Sequence, residues 1–270
     1  MSHAQQRVAA TRAREFWPVP LFTLLTWVVA GLLLALQPML PLDPGLLMLP
    51  QFGPAVAAVV VTVLLRRGRR PAAGPASMRW LRPTRDVLVR CVTGAGLVVA
   101  VLGLSLGVLA LAGRPVHLTD AGQLAGPWWL LVVLQWVGAC GEELGWRVFL
   151  QRRLEAGRSP VAAAVVVGVL WGAWHVQYLR FGAAFMTAFM VMTVAVSVIL
   201  AVLVSGAGTG TLLVAGTLHC LINLGTLGVL DIEGGDVAGM TALAGCSTAV
   251  AVAVALAVAG HRVRRTEAVR

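Results

Sequence analysis

The chain has 270 residues, of which 59% are hydrophobic and 12% are charged, and its mean hydropathy is +0.86. Soluble domains carry about 25% charged residues, so this composition excludes an ordinary water-soluble fold and predicts an integral membrane protein. The formal net charge of +10 raises the question of nucleic acid. Because the arginines flank apolar segments, membrane topology explains them, and we expect no nucleic-acid partner.

Eight apolar segments are long enough to cross a bilayer as helices, because about 20 residues span its hydrocarbon core. The predicted fold is therefore all-α, a polytopic integral membrane protein, with residues 1–270 in a single membrane domain. The predicted spans are residues 21–39, 46–65, 92–112, 127–150, 160–179, 183–204, 210–230 and 237–259. Pro50 and Pro54 make the second span the weakest, since proline interrupts helical hydrogen bonding.

Eighteen of the 21 arginines lie in the two tails and in two of the connections between spans. Basic residues are retained on the cytoplasmic side of membranes. The pattern predicts a cytoplasmic basic tail over residues 1–20, a cytoplasmic basic loop over 66–90 and a cytoplasmic tail over 260–270. We therefore expect a multi-pass protein of the cell membrane with both termini in the cytoplasm. The run RRGRR at 66–70 also suits contact with anionic lipid headgroups.

Six ionisable or amide side chains inside the predicted spans are candidates for function: Glu142, Glu143, Arg147, His175, His219 and Asn223. A charge at the bilayer centre costs about 2.5 to 3.5 kcal/mol on insertion scales, so such residues usually mark a functional site. Glu143 and Arg147 are four residues apart with the acid first, the favourable order for an ion pair. Glu142 lies about 100° around the helix. We expect it to face a cavity as a general base.

The acid pair has a second interpretation, in which it simply ends the fourth span at the cytoplasmic interface. Arg147 would then extend its guanidinium to the headgroups. Gly138, Gly141 and Gly145 lie beside the acids and permit close helix contact under either interpretation.

Two further motifs each place two polar or aromatic side chains four residues apart. Trp171 can form a wall beside the imidazole of His175 on the fifth span. His219 and Asn223 present an imidazole and a carboxamide side by side on the seventh span, and two such donors can polarise a carbonyl and stabilise an oxyanion. Packing or interhelical hydrogen bonding is the alternative for both motifs.

The order E-E-x-x-x-R, aromatic-x-x-x-H and H-x-x-x-N on three membrane helices resembles the CAAX protease and bacteriocin-processing (CPBP) family, also called the Rce1/Abi family of intramembrane proteases. The resemblance covers residues 142–223. It implies an intramembrane endopeptidase that hydrolyses a peptide bond of a membrane-associated or lipidated, CAAX-type substrate. Trp171 stands where the family usually has phenylalanine, at a position that shapes the substrate cavity, and is therefore a candidate substrate-binding residue.

The resemblance also implies a role for each motif. Glu142 with His175 would activate a water molecule, and His219 with Asn223 would stabilise the tetrahedral oxyanion. The ion pair of the first motif would be structural, or would hold Glu142 and the substrate in place. The partners expected are a peptide or protein substrate in the membrane and the lipid bilayer itself.

A divalent metal is an open alternative to a metal-free site. Glu142, His175 and His219 would suffice as a zinc ligand set, because catalytic zinc sites commonly have three protein ligands. The family is usually classed with the metalloproteases, yet the chain has no H-E-x-x-H motif. With every span centred on the bilayer, Glu142 and His175 differ in depth by roughly 10 Å, which is too far for one water to bridge.

Two other functions fit the same residues. A non-catalytic peptide-binding or immunity protein would keep the fold and lack turnover. An ion or proton transporter would also place glutamate and histidine inside the membrane. Replacement of Glu142 by glutamine separates these hypotheses. It should abolish turnover by a protease, leave binding by a peptide-binding protein intact, and abolish flux through a transporter.

Overall fold

The computed structural model describes residues 17–66, 83–116, 118–120, 122, 124–230 and 232–267, and these residues are helical without a β-strand. The prediction of an all-α polytopic membrane protein is confirmed. The predicted basic segments 1–20, 66–90 and 260–270 lie partly outside the described residues. The α-helices of the described chain are α1 Pro18–Leu36, α2 Gly53–Arg66, α3 Arg85–Leu111, α4 Trp128–Glu143, α5 Arg152–Glu155, α6 Pro160–Trp174, α7 Ala183–Val204, α8 Thr211–Val229 and α9 Val237–Glu267.

All eight predicted spans coincide with helical segments. Five segments have the length and apolar composition to cross a membrane: Pro18–Met39, Arg85–Leu111, Ala183–Val204, Thr211–Val229 and Val237–Gly260. Two apolar helices, Leu49–Leu65 and Pro160–Trp174, are shorter. The remaining span is α4, which continues without a break into a π-helical segment, Leu144–Gln151.

Two predicted boundaries were wrong. α3 begins at Arg85 and not at residue 92, because the Thr84 hydroxyl accepts a hydrogen bond from the Val87 N–H and caps the helix there. α6 ends at Trp174 and not at residue 179, and a 3₁₀ segment, Val176–Phe181, follows it. The predicted eighth span, 237–259, agrees with the apolar segment Val237–Gly260, and the helix α9 continues beyond it to Glu267.

α7 lies at the centre of the packing. Its apolar segment is 67% buried, whereas that of the first span is 17% buried. The burial of α7 agrees with its sequence, which is apolar on every side of the helix. α7 packs chiefly against α6 and α9. Gly168 and Gly172 of α6 allow the close approach, because a β-carbon on either would collide with Val194 or Met190 of α7.

The connection between α1 and α2 packs against one face of α4 and its π-helical continuation, which we call the glycine face. A 3₁₀ turn, Leu49–Phe52, leads into α2 at this point. The glycine face consists of Gly138, Gly141 and Gly145, which lie against Gln51, Phe52 and Pro54, respectively. A β-carbon on any of the three would overlap its neighbour, so the spacing noted in the sequence corresponds to close packing.

Candidate active site

The two glutamates of the first motif lie at the end of α4, and Arg147 lies in the π-helical segment that follows. All three are buried, with exposed fractions of 2% or less. Arg147 Nη1 donates to Glu143 Oε1 at 3.1 Å, so the predicted ion pair is present. Since the guanidinium is 1% exposed, the alternative in which Arg147 reaches the headgroups is wrong. π-Helical segments are rare and frequently occur at functional sites.

Arg147 has a second partner that sequence reasoning missed. Its Nη2 donates to Ser197 Oγ of α7 at 2.9 Å, and Ser197 is buried. The signal was available, because Ser197 is a single hydroxyl in the apolar run VAVSVIL. A search confined to ionisable and amide side chains passes over it. The central helix α7 therefore holds one guanidinium nitrogen while Glu143 holds the other.

His219 of α8 contacts the same carboxylate. Its Nδ1 lies 2.9 Å from Glu143 Oε1, and the carboxylate can only accept, so Nδ1 carries a hydrogen and Nε2 is directed away from Glu143. Asn223 is one turn further along α8 and partly exposed, and its carboxamide makes no hydrogen bond within the described chain. The imidazole is therefore fixed, whereas the carboxamide is available to a ligand.

Trp171 joins the three motifs. Its indole Nε1 donates to Glu142 Oε2 at 2.8 Å. Its ring centroid lies 5.0 Å from that of His219 and 6.0 Å from that of His175. The guanidinium carbon of Arg147 lies 4.6 Å from the ring centroid, the geometry of a cation–π contact. The predicted aromatic wall beside His175 is present. The side chain of Trp171 is only 4% exposed, and its substrate-binding role stays a prediction.

His175 follows directly after the last residue of α6. Its Nδ1 lies 2.9 Å from the Trp171 carbonyl oxygen, which can only accept, so Nδ1 carries the hydrogen. In the neutral ring, Nε2 then holds the lone pair. Trp174 and Phe189 each contact the imidazole at 4.9 Å between centroids. The histidine thus has a defined tautomer and a mainly aromatic environment.

The sequence estimate placed Glu142 and His175 roughly 10 Å apart in depth, from positions along the helix axes alone. In the structure the side chain of Trp171 connects the two motifs. Its indole Nε1 donates to Glu142 Oε2 at 2.8 Å, and its ring centroid lies 6.0 Å from that of His175. The estimate did not include the reach of these side chains.

A contact from the connection between α8 and α9 reaches the surroundings of His175. Tyr178 Oη donates to Glu233 Oε1 at 2.6 Å. The phenol ring lies parallel to the imidazole of His175, with an interplanar angle of 5° and centroids 5.9 Å apart. Glu233 lies in the connection between the predicted spans 210–230 and 237–259. No pattern in the chain indicates the contact, because the two residues are 55 positions apart.

The predicted zinc ligands do not converge on one position. Among the described residues, no group of three or more His, Cys, Asp or Glu side chains is arranged to hold a metal ion. The indole of Trp171 lies among the predicted ligands and contacts Glu142, His175 and His219. A divalent metal at these residues stays a prediction, and the steps proposed below use none.

Residues 124–225 match a protein-family model described as type II CAAX prenyl endopeptidase, Rce1-like. The matched segment is somewhat more than a third of the chain and contains all three motifs. The match confirms the resemblance to the Rce1/Abi family. No curated protein matches the chain.

Proposed function

From the Rce1-like domain of residues 124–225 and the contacts within it, we propose that the chain is an intramembrane endopeptidase. It hydrolyses a peptide bond of a membrane-associated or lipidated, CAAX-type substrate with water as the nucleophile. The observation that carries the proposal is the contact of Glu142, His175 and His219 with a single buried indole, that of Trp171. Residues of all three motifs thereby contact one side chain.

Glu142 and His175 are the groups that activate water. Glu142 has one oxygen bonded to Trp171 and a second, Oε1, without a hydrogen bond to any described residue. His175 keeps the lone pair of Nε2, because Nδ1 is bonded to the Trp171 carbonyl. Water attacks the carbonyl carbon as Glu142 takes its proton, with His175 as a second acceptor. Glu142 then gives this proton to the leaving nitrogen as the amide C–N bond breaks and the carbonyl of the new carboxyl group re-forms.

His219 and Asn223 stabilise the tetrahedral oxyanion. Glu143 accepts from Nδ1 of His219 and so aims Nε2 away from itself. In the protonated ring Nε2 also carries a hydrogen and can donate to the oxyanion. The carboxamide of Asn223 supplies a second donor one turn away on α8. Such donors are effective because a site closed to water lets them act at low dielectric.

Glu143 and Arg147 support this pair and do not touch the reacting atoms. Arg147 holds the carboxylate of Glu143 on one side, and Ser197 holds the guanidinium in turn. The carboxylate therefore has a fixed orientation toward His219. A misplaced imidazole would aim Nε2 away from the carbonyl, so the ion pair contributes to catalysis through position.

The test uses the purified full-length protein in lipid nanodiscs with an internally quenched peptide that ends in a farnesylated CAAX sequence. Replacement of Glu142 by glutamine should lower kcat about 10²- to 10⁴-fold, the usual contribution of a general base. Asp86→Asn is the matched control, since Asp86 is an exposed carboxylate on α3 outside the site. We expect the control to cleave at the wild-type rate.

Three results would contradict the proposal. Equal cleavage by wild type and Glu142→Gln would remove Glu142 from the reaction. Tight binding of the peptide without cleavage by the wild type would favour the non-catalytic peptide-binding alternative. A flux of protons into sealed vesicles that depends on a gradient and on Glu142 would favour the transporter alternative.

A further inference from the structure

The carboxylate of Glu142 makes a single hydrogen bond with the described residues, and its donor is Trp171 Nε1 at 2.8 Å. This bond fixes which oxygen is free. With Oε2 held, the carboxylate does not rotate freely, and Oε1 is the oxygen left for a water molecule. Hydrogen bonds to an ionised group are stronger than neutral ones, so an indole donor is effective here.

Arg147 does not reach Glu142 through its own hydrogen bonds, which go to Glu143 and Ser197. Its guanidinium carbon instead lies 4.6 Å from the ring centroid of Trp171, over the indole face. A cation in this position is attracted by the electron-rich face of the ring. It also polarises the indole and makes Nε1–H a better donor, as linked polar contacts strengthen one another.

We infer that Trp171 is a positioning residue for Glu142. Its N–H aligns the carboxylate of Glu142. The guanidinium of Arg147 lies over its ring face, polarises the indole and so strengthens the hydrogen bond to Glu142, although Arg147 does not itself bond to that acid. One cation thereby serves both glutamates, Glu143 by an ion pair and Glu142 through the indole. Phenylalanine could supply the ring face and could not supply the hydrogen bond. This inference rests on the proposed function.

The contact itself is tested first, without reference to activity. The full-length protein labelled with [¹⁵N]tryptophan in nanodiscs contains nine tryptophans, and the indole signal lost in Trp171→Phe belongs to Trp171. In wild type that signal should lie downfield and should move upfield in Glu142→Gln, because the amide oxygen is a weaker acceptor than a carboxylate. It should not move in Asp86→Asn. If the Trp171 signal does not move in Glu142→Gln, the inference is overturned, whatever the peptidase activity of the variants.

The catalytic consequence is measured on the quenched farnesylated peptide. Trp171→Phe should lower kcat about 10- to 100-fold, the value of a hydrogen bond to a charged group, and leave KM within about twofold. Trp136→Phe is the matched control, because it removes an indole hydrogen bond to Thr217 that lies outside the site. It should leave kcat unchanged.

The outcomes separate the two proposals. Equal kcat in Trp171→Phe and Trp136→Phe overturns the positioning role while the proposed function stands. A rise in KM at unchanged kcat also overturns it, in favour of a substrate-binding role. If the wild type does not cleave the peptide, the proposed function fails and the positioning role fails with it, whereas the indole signal still shows whether the contact exists. If Trp171→Phe does not fold, an indole signal that moves in Glu142→Gln and not in Asp86→Asn still reports the contact, because Trp171 is the described tryptophan that donates to Glu142. No moving signal overturns the inference.

Discussion

α4 and its π-helical continuation present two faces with opposite chemistry. On the glycine face, the absence of side chains lets the connection between α1 and α2 approach to contact distance. On the other face, Glu142 and Glu143 bind an indole and an imidazole from α6 and α8. The acids are therefore buried from both directions, because close packing on the glycine face closes the side that the polar contacts leave open.

The largest expected loss of stability comes from breaking the buried ion pair of Glu143 and Arg147. Arg147→Met leaves the carboxylate of Glu143 buried without its guanidinium, and removal of one partner of a buried ion pair costs about 3–5 kcal/mol. Thermal unfolding in detergent measures it. The double variant Arg147→Met with Glu143→Gln should be more stable than Arg147→Met alone, since the uncompensated charge is gone. A double variant as unstable as the sum of the two single variants would contradict this account of the pair.

Substitution on the glycine face should cause the second-largest loss of stability. Gly145→Ala places a β-carbon against Pro54, whose backbone carbonyl would be 2.6 Å away and cannot move independently. We expect a loss of about 1–3 kcal/mol in the free energy of unfolding. Gly103→Ala on α3 is the control, because nothing lies within 4 Å of its β-carbon, and alanine is the better helix former. If both variants unfold alike, close packing at Gly145 is not needed.

Loss of the hydrogen bond between Arg147 and Ser197 should have the smallest effect on stability. Ser197→Ala removes the acceptor for Arg147 Nη2 and should cost about 1–2 kcal/mol, because the donor is charged and buried. Ser105→Ala is matched to it, as this equally buried serine bonds only a carbonyl of its own helix, Val101 O, at 2.7 Å. Unfolding midpoints in the same detergent compare them. An equal cost at both positions would mean that Ser197 does not hold the guanidinium.

Much of this arrangement was predictable from the sequence. Apolar length located the eight helical segments, and the four-residue spacing of Glu143 and Arg147 indicated an ion pair that the structure contains. Helical periodicity reports which side chains share a face, so the pairing of residues within one helix could be inferred. The glycine spacing on α4 likewise indicated close contact, although it could not identify the partner segment.

The contacts between helices were not predictable. Ser197 bonds Arg147 across 50 positions of sequence, and Tyr178 bonds Glu233 across 55. A single sequence holds no periodicity that relates such positions. The end of α6 was also misplaced, because the apolar run continues past Trp174 although the backbone turns into a 3₁₀ segment. Hydropathy does not distinguish these two helix types.

The most direct test of the central claim is a comparison of membrane-protein termini in cells that carry wild type or Glu142→Gln at matched abundance. If the chain is an intramembrane endopeptidase with Glu142 as its base, new termini will appear only with wild type, and they will identify the substrates. Identical profiles across growth conditions would contradict a peptidase and direct attention to binding.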